Sequence, residues 1–279
     1  MLNKDIMIAV LKKDLKQTLS NLQIMLPLVI VPLLFVIILP LVFILVGEMV
    51  DLELNPSNKK FLEHLIAGIP PGPVKEELKT FTTLNQQVVY IVLNYLFIPL
   101  FLLLPLMVSS IIAASSFAGE KEHKTLETLL YSPIKETELF LAKLLSAFIP
   151  SLLLSLTGFV IYGLIIDTVG LDLFKKPVFP SPNWILVILW LIPSSSLLAI
   201  GICVLISAKV RGFQEAYQLS GLLVLPFLLL LMGQATGLIL LDSLIIFLLG
   251  IVLFVVDFVM LRQAALSFNR ENLFRTQIF

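Results

Sequence analysis

Glu120, Glu122, Lys124 and Glu127 fall within eight residues of one another, in a polar stretch set between long apolar runs. Leu126, Leu129 and Leu130 stand among them at i, i+3, i+4 spacing, which places the three on one narrow face of a helix with the charges flanking it. A stripe of that size cannot build a core by itself. It must lie on a membrane, pack against its own protein, or dock into a groove on a partner. Ser132-Pro133 then restarts the chain, serine serving as a cap and proline as a first helical residue. The next helix is opened by Glu136 and Glu138 and carries Lys143.

Other chemistry is weakly represented. Gly119 to Thr125 echoes a phosphate-binding loop, but His123 stands where such a loop needs glycine before its lysine, and no strand precedes it. The two histidines, His64 and His123, fall on opposite sides of the membrane in the topology below, so no histidine metal site is expected. Cys203 is the one cysteine and forms no disulfide within the chain. No hydrolase motif occurs. Asp257, in VVDFVML, is the notable charge inside an apolar run. It reads either as a site for a cation, a proton or a substrate amine, or as an anchor paired with Arg262. Its place within about two turns of the predicted end of its run favours the anchor. Asn94 and Gln234 are further polar residues inside apolar runs and, with Asp257, make up the candidate substrate pathway.

The elements that must position these groups are membrane-spanning helices. Of the 279 residues 58% are hydrophobic and 14% charged, with a mean hydropathy of +1.03. Charges this sparse cannot coat a soluble domain of this length, so lipid must take the place of a polar exterior. A net charge of zero argues against a nucleic-acid partner. A helix needs roughly 20 apolar residues to cross the hydrocarbon. Six stretches qualify, at approximately 24–47, 88–117, 144–166, 184–208, 219–240 and 244–261. The expected fold is therefore all-α, a polytopic bundle of six transmembrane helices forming one transmembrane domain over 1–279. The prolines inside the spans predict kinks rather than breaks.

Orientation follows from the loops. With the N-terminus inside, inner segments hold 13 lysines and arginines and outer loops hold six, which predicts both termini in the cytoplasm of a multi-pass protein of the cell (inner) membrane. The first span is too long for a cleavable signal peptide. Ahead of it, Ile8, Leu11, Leu15, Leu19 and Leu22 recur at helical spacing between lysines, which predicts an interfacial amphipathic helix on the cytoplasmic surface. The longest outer loop, about 48–87, contains a short amphipathic stretch at 61–67. A turn at Ile69–Pro73 follows it, and then a helix opened by Pro73 that is expected to run into the second span.

The run FAGEKEHKTLETLLYSPIKETELFLAKLL, Phe117 to Leu145, resembles the cytoplasmic loop of type 2 ABC transporter permeases. Those permeases read E-[KR]-E-x-[GK]-T-L-E-x-L-L-x-[ST]-P-[IV], with E-x-x-x-[AG]-K a few residues on. Glu120, Glu122, Thr125, Leu126, Glu127, Leu129, Leu130, Ser132, Pro133, Glu138 and Lys143 fall on that pattern, while Lys124 stands where many members have glycine. The resemblance implies the permease subunit of an ATP-driven exporter, without its own nucleotide site. It would work as a dimer with an identical or related permease, each subunit paired with a cytoplasmic ABC ATPase that holds ATP and Mg. It further implies that Glu120, Glu122, Thr125, Leu126, Glu127, Leu129 and Leu130 form a coupling helix gripped by that ATPase, with the N-terminal helix touching it as well. Two other classes stand beside the exporter: an intramembrane lipid-modifying enzyme, which would need clustered carboxylates and basic groups at one face, and a non-transporting assembly subunit. Cargo is not readable from the sequence. The very short link between the last two spans implies that the gate found there in relatives is reduced or absent.

Overall fold

The computed structural model describes residues 4–49, 66, 73–123, 125, 135–210, 212–237 and 241–267. The stretch at 61–67 (but for Ile66), His64, the turn before Pro73, the stripe residues Leu126, Leu129 and Leu130, the flanking Lys124 and Glu127, and the Ser132-Pro133 restart all lie outside them.

Among the described residues, six helices are long and apolar enough to cross a bilayer. Span 1 is Ile24–Met49, span 2 Leu84–Glu122, span 3 Glu136–Val169, span 4 Pro182–Ser207, span 5 Phe213–Ala235 and span 6 Ser243–Leu266. This is an all-α, multi-pass membrane bundle. Spans 2, 3 and 5 each reach several residues further toward the sequence-neighbouring charges than the apolar runs do. Once beyond the hydrocarbon a helix needs no apolar side chains, so the hydropathic edge marks the lipid boundary and not the helix end.

Span 2 is the central element. In its most apolar window 83% of residues are buried, against 17% in spans 1, 5 and 6. It packs on spans 1, 3, 4 and 5, while span 6 rests on span 4. The core of the end far from the N-terminal helix is aromatic. Phe101, Tyr162, Phe179 and Trp184 meet with ring centroids 4.9–6.0 Å apart, joining spans 2, 3 and 4. Tyr162 satisfies its hydroxyl by donating to the Leu93 carbonyl at 2.7 Å.

Four of the prolines act locally, while Pro105 and Pro150 sit in unbroken α-helix. Proline offers no N–H to the carbonyl four residues earlier, so the helix can loosen or tighten there. Val36, four before Pro40, lies in the π-helical turn Leu33–Ile38; Tyr95, before Pro99, in Val92–Leu96; and Leu189, before Pro193, in Val187–Leu191. Leu222, before Pro226, lies in the 3-10 turn Gly221–Leu223. A further π turn, Ser115–Gly119, has no proline to explain it.

The helix at Pro73–Leu78 does start on its proline, but it does not continue into span 2. Thr83 starts span 2 afresh with a reciprocal cap, its hydroxyl accepting from Gln86 N while the Gln86 side chain accepts from the Thr83 backbone. The N-terminal helix α1, Lys4–Ser20, has two working faces. Ile8 is half exposed and Leu11 and Leu15 are partly so, as a membrane-surface stripe requires. Val10, Asp14 and Thr18, at i, i+4, i+8, are buried instead, and α1 packs on span 3. The second face, carrying a carboxylate, is not what the leucine spacing predicts.

Candidate functional site

Glu120, Lys121 and Glu122 end span 2, and each is bonded to a different part of the molecule. Glu120 is 1% exposed. Its Oε2 accepts from Lys143 Nζ of span 3 at 2.5 Å, and its Oε1 accepts from Lys13 Nζ of α1. Lys143, with no exposed surface, also donates to the Ser116 carbonyl at 2.5 Å and lies 3.1 Å from Ser116 Oγ. Ser116 Oγ in turn donates to Asp14 Oδ2 at 2.6 Å, and Ser146 Oγ lies 3.1 Å from that same oxygen. Lys13 stands 3.4 Å from Asp14 Oδ1. Two carboxylates and two ammonium groups from α1 and spans 2 and 3 thus close a neutral network. Buried ions are tolerated only when paired and hydrogen-bonded in this way.

The network also meets the π turn at Ser115–Gly119, where Lys143 donates to the Ser116 carbonyl. The Phe117 ring, 5.3 Å from the Lys143 ammonium, covers it from another side. Burial by itself would lower the Lys13 ammonium. The hydrogen bond and charge of Glu120, joined by those of Asp14, outweigh burial and hold its pKa above the ordinary lysine value.

Lys121 reaches the opposite way. Its Nζ donates to the Val210 carbonyl at 3.0 Å and lies 3.5 Å from that of Ala208, just past the end of span 4, where helix carbonyls lack partners and a cation is favoured. Glu122 Oε2 accepts from the backbone N–H of Phe213, the first residue of span 5, at 2.9 Å. Gly212 precedes that helix and has no side chain with which to cap it, so Glu122 supplies the cap from another span. A Cβ on Gly212 would run into the Glu122 carboxylate. Thr125 is exposed, and its hydroxyl donates to the Glu120 carbonyl at 3.3 Å. Three consecutive residues therefore tie α1 and spans 3, 4 and 5 to the base of the leucine-striped segment.

A sequence model described as ABC-2 family transporter protein matches residues 51–274, most of the chain. The chain belongs to the ABC-2 family of transporter proteins. No curated protein matches it significantly. As an ABC-2 permease it is the transmembrane part of an ABC transporter, a subunit of a kind typically without catalytic chemistry and generally partnered with an ABC ATPase.

Within this ABC-2 permease the sequence-predicted residues divide. Glu120 is turned inward with both oxygens occupied by Lys13 and Lys143, an internal link in this structure. Glu122 is exposed, yet its carboxylate is committed to span 5. Asn94 is wholly buried in the π turn Val92–Leu96, which packs on the helix Val224–Ala235 that carries the buried Gln234. Asp257 is elsewhere, on span 6 against span 4, accepting from Ser194 Oγ at 2.7 Å. That bond replaces the pairing with Arg262 that the sequence suggested, because Ser194 lies midway along span 4 and so draws Asp257 to the middle of the bundle. Sequence reading missed Asp14, Lys13 and Lys121. The signal for Asp14 was its four-residue spacing from Val10 and Thr18, across the helix from the leucines.

Proposed function

We propose that this ABC-2 permease is the membrane subunit of an exporter, driven by a separate cytoplasmic ATPase that grips the segment following Glu122. In this reading α1, the segment and both termini face the cytoplasm of a cell whose inner membrane holds the bundle. ATP and Mg are held by the ATPase, and a second permease copy or relative completes the pathway. Cargo leaves the cytoplasm or the inner leaflet. Leu126, Leu129 and Leu130 supply the desolvated anchor, and Glu127 and Thr125 lie at its rim, where charge and polarity set orientation and partner choice.

The observation that carries this reading is the fan of bonds from Glu120, Lys121 and Glu122. A short striped segment becomes a lever only if its base is fixed to what it must move. Here the base is bonded at once to α1 and span 3, to the end of span 4 and to the start of span 5. A push on the segment is delivered to four elements by charged side chains, two of the links being ion pairs and two being bonds to backbone groups.

The test is to purify the permease with its ATPase from native membranes and to compare wild type with L126E/L129E/L130E. The triple variant is expected to leave the permease folded and in the membrane, while the ATPase is lost from the complex. Retention of a fully active ATPase by the triple variant would show that the segment is not the gripped element.

A further inference from the structure

We infer that Asp257 is a proton-binding site, held as the neutral acid between spans 4 and 6. The inference stands on the contact between spans 4 and 6 and is independent of transport direction. Ser194, Ser195 and Ser196 follow one another at the middle of span 4, but they point to different uses. Ser195 and Ser196 donate back to the Ile192 carbonyl, both at 3.0 Å, as hydroxyls in membrane helices commonly do. Ser194 alone donates across to Asp257 Oδ2. Asp257 is 2% exposed, and its other oxygen, Oδ1, is buried without a hydrogen-bond partner.

No described group neutralises the charge. Span 4, on which span 6 rests, contains no Asp, Glu, Lys, Arg or His from Pro182 to Ser207. Its Cys203 is turned to the Ser110 carbonyl of span 2. On span 6 the cation is Arg262, five positions on, which is about 140° around the helix from Asp257. Ser194 is the one described side chain bonded to Asp257. The neighbouring turns of span 6 present Val255, Phe258 and Val259 outward to lipid, and span 4 closes on span 6 elsewhere through Trp190 seated over Gly250.

An anion at this depth, with one oxygen bare, is costly in hydrocarbon. A proton removes that cost without any movement of the helices. It binds to a lone pair of Oδ1, converting the carboxylate to the acid, while Oδ2 keeps the Ser194 hydrogen bond. Release of the proton leaves a bare oxygen that only water or a cation can satisfy, so it requires spans 4 and 6 to part. Proton occupancy and the contact between these two spans are therefore linked.

The experiment is infrared difference spectroscopy of the purified protein in lipid vesicles, titrated through neutral and alkaline pH, for wild type, D257N and S194A. At pH 7 wild type is expected to show a protonated-carboxyl C=O band equivalent to one group per chain and absent from D257N. In S194A the band persists but moves to higher frequency, because its hydrogen bond is gone. A wild-type difference showing carboxylate bands at pH 7 would overturn the inference. So would a protonated band that emerges only when sodium and potassium are removed, since a metal cation and not a proton would then be the ligand.

Discussion

Lys143 of span 3 donates to Glu120 of span 2 at 2.5 Å, and neither side chain is more than 1% exposed. The pair sits where the membrane helix ends and the leucine-striped segment begins. Its burial makes it a rigid joint, because opening it would strand two charges away from water. Ser116, Asp14 and Lys13 extend the joint to the N-terminal helix.

Breaking one side of the joint is expected to be severe. E120Q strands the buried Lys143 ammonium without a carboxylate and should lower folding stability by about 3–5 kcal/mol, whereas K143M leaves Glu120 still paired with Lys13 and should cost less. The double variant E120M/K143M removes both charges at once and should recover most of the loss, since Lys13 and Asp14 can still pair. Thermal unfolding in detergent measures all three. Single variants as stable as wild type would mean that the pair is not buried as described.

The Lys13 contribution has a defined pH window. Its pKa lies above the ordinary lysine value of 10.5, so folding takes up a proton at that site. The stabilisation is fully present below pH 10.5 and is lost as pH rises through the still higher folded value. Docking of α1, followed by a fluorophore at Lys16, should thus be insensitive to pH around neutrality and weaken only in strong alkali. In K13M that alkaline weakening should be reduced. An identical alkaline transition in K13M would assign it to another group.

Glu122 caps a helix to which it does not belong. E122A should cost about 0.5–2 kcal/mol, the usual worth of a helix cap, and should speed amide exchange at Phe213 more than at the middle of span 5. G212A should do likewise by crowding the carboxylate. Equal exchange at Phe213 in wild type and both variants would remove the link between spans 2 and 5.

The Tyr162 hydroxyl joins span 3 to the π turn of span 2. Y162F keeps the ring among its aromatic neighbours but abandons the Leu93 carbonyl, at an expected cost of about 1 kcal/mol. The melting temperature of the detergent-solubilised protein reads this directly, and an unchanged value would make the bond dispensable.

The spans were legible because lipid leaves hydropathy little freedom: runs such as the one through Val36 and Ile44 can do nothing but cross. Part of the proline response was legible as well: π or 3-10 turns stand four residues before Pro40, Pro99, Pro193 and Pro226, while Pro105 and Pro150 leave the α-helix unbroken. The joint was not. Asp14 lies among Lys12, Lys13 and Lys16 and reads as part of a solvated face. Only the packing of α1 on span 3 shows that its carboxylate points inward. The partner of Asp257 lies 63 residues away on another helix, and no periodicity encodes such a pairing. Glu120 and Glu122 look alike in sequence, yet one is sealed between two lysines and the other caps a distant helix. Their difference is set by where span 2 ends relative to its neighbours.

The proposal that an ATPase grips the segment after Glu122 is tested most directly by a photo-crosslinking amino acid placed at Leu129 in the otherwise native complex, with a second placed at Met49 as a control. Irradiation is expected to join Leu129, and not Met49, to a chain that binds ATP, with adduct yield changing when nucleotide is added. Adducts confined to lipid or to the permease's own spans would contradict a lever held by a separate motor.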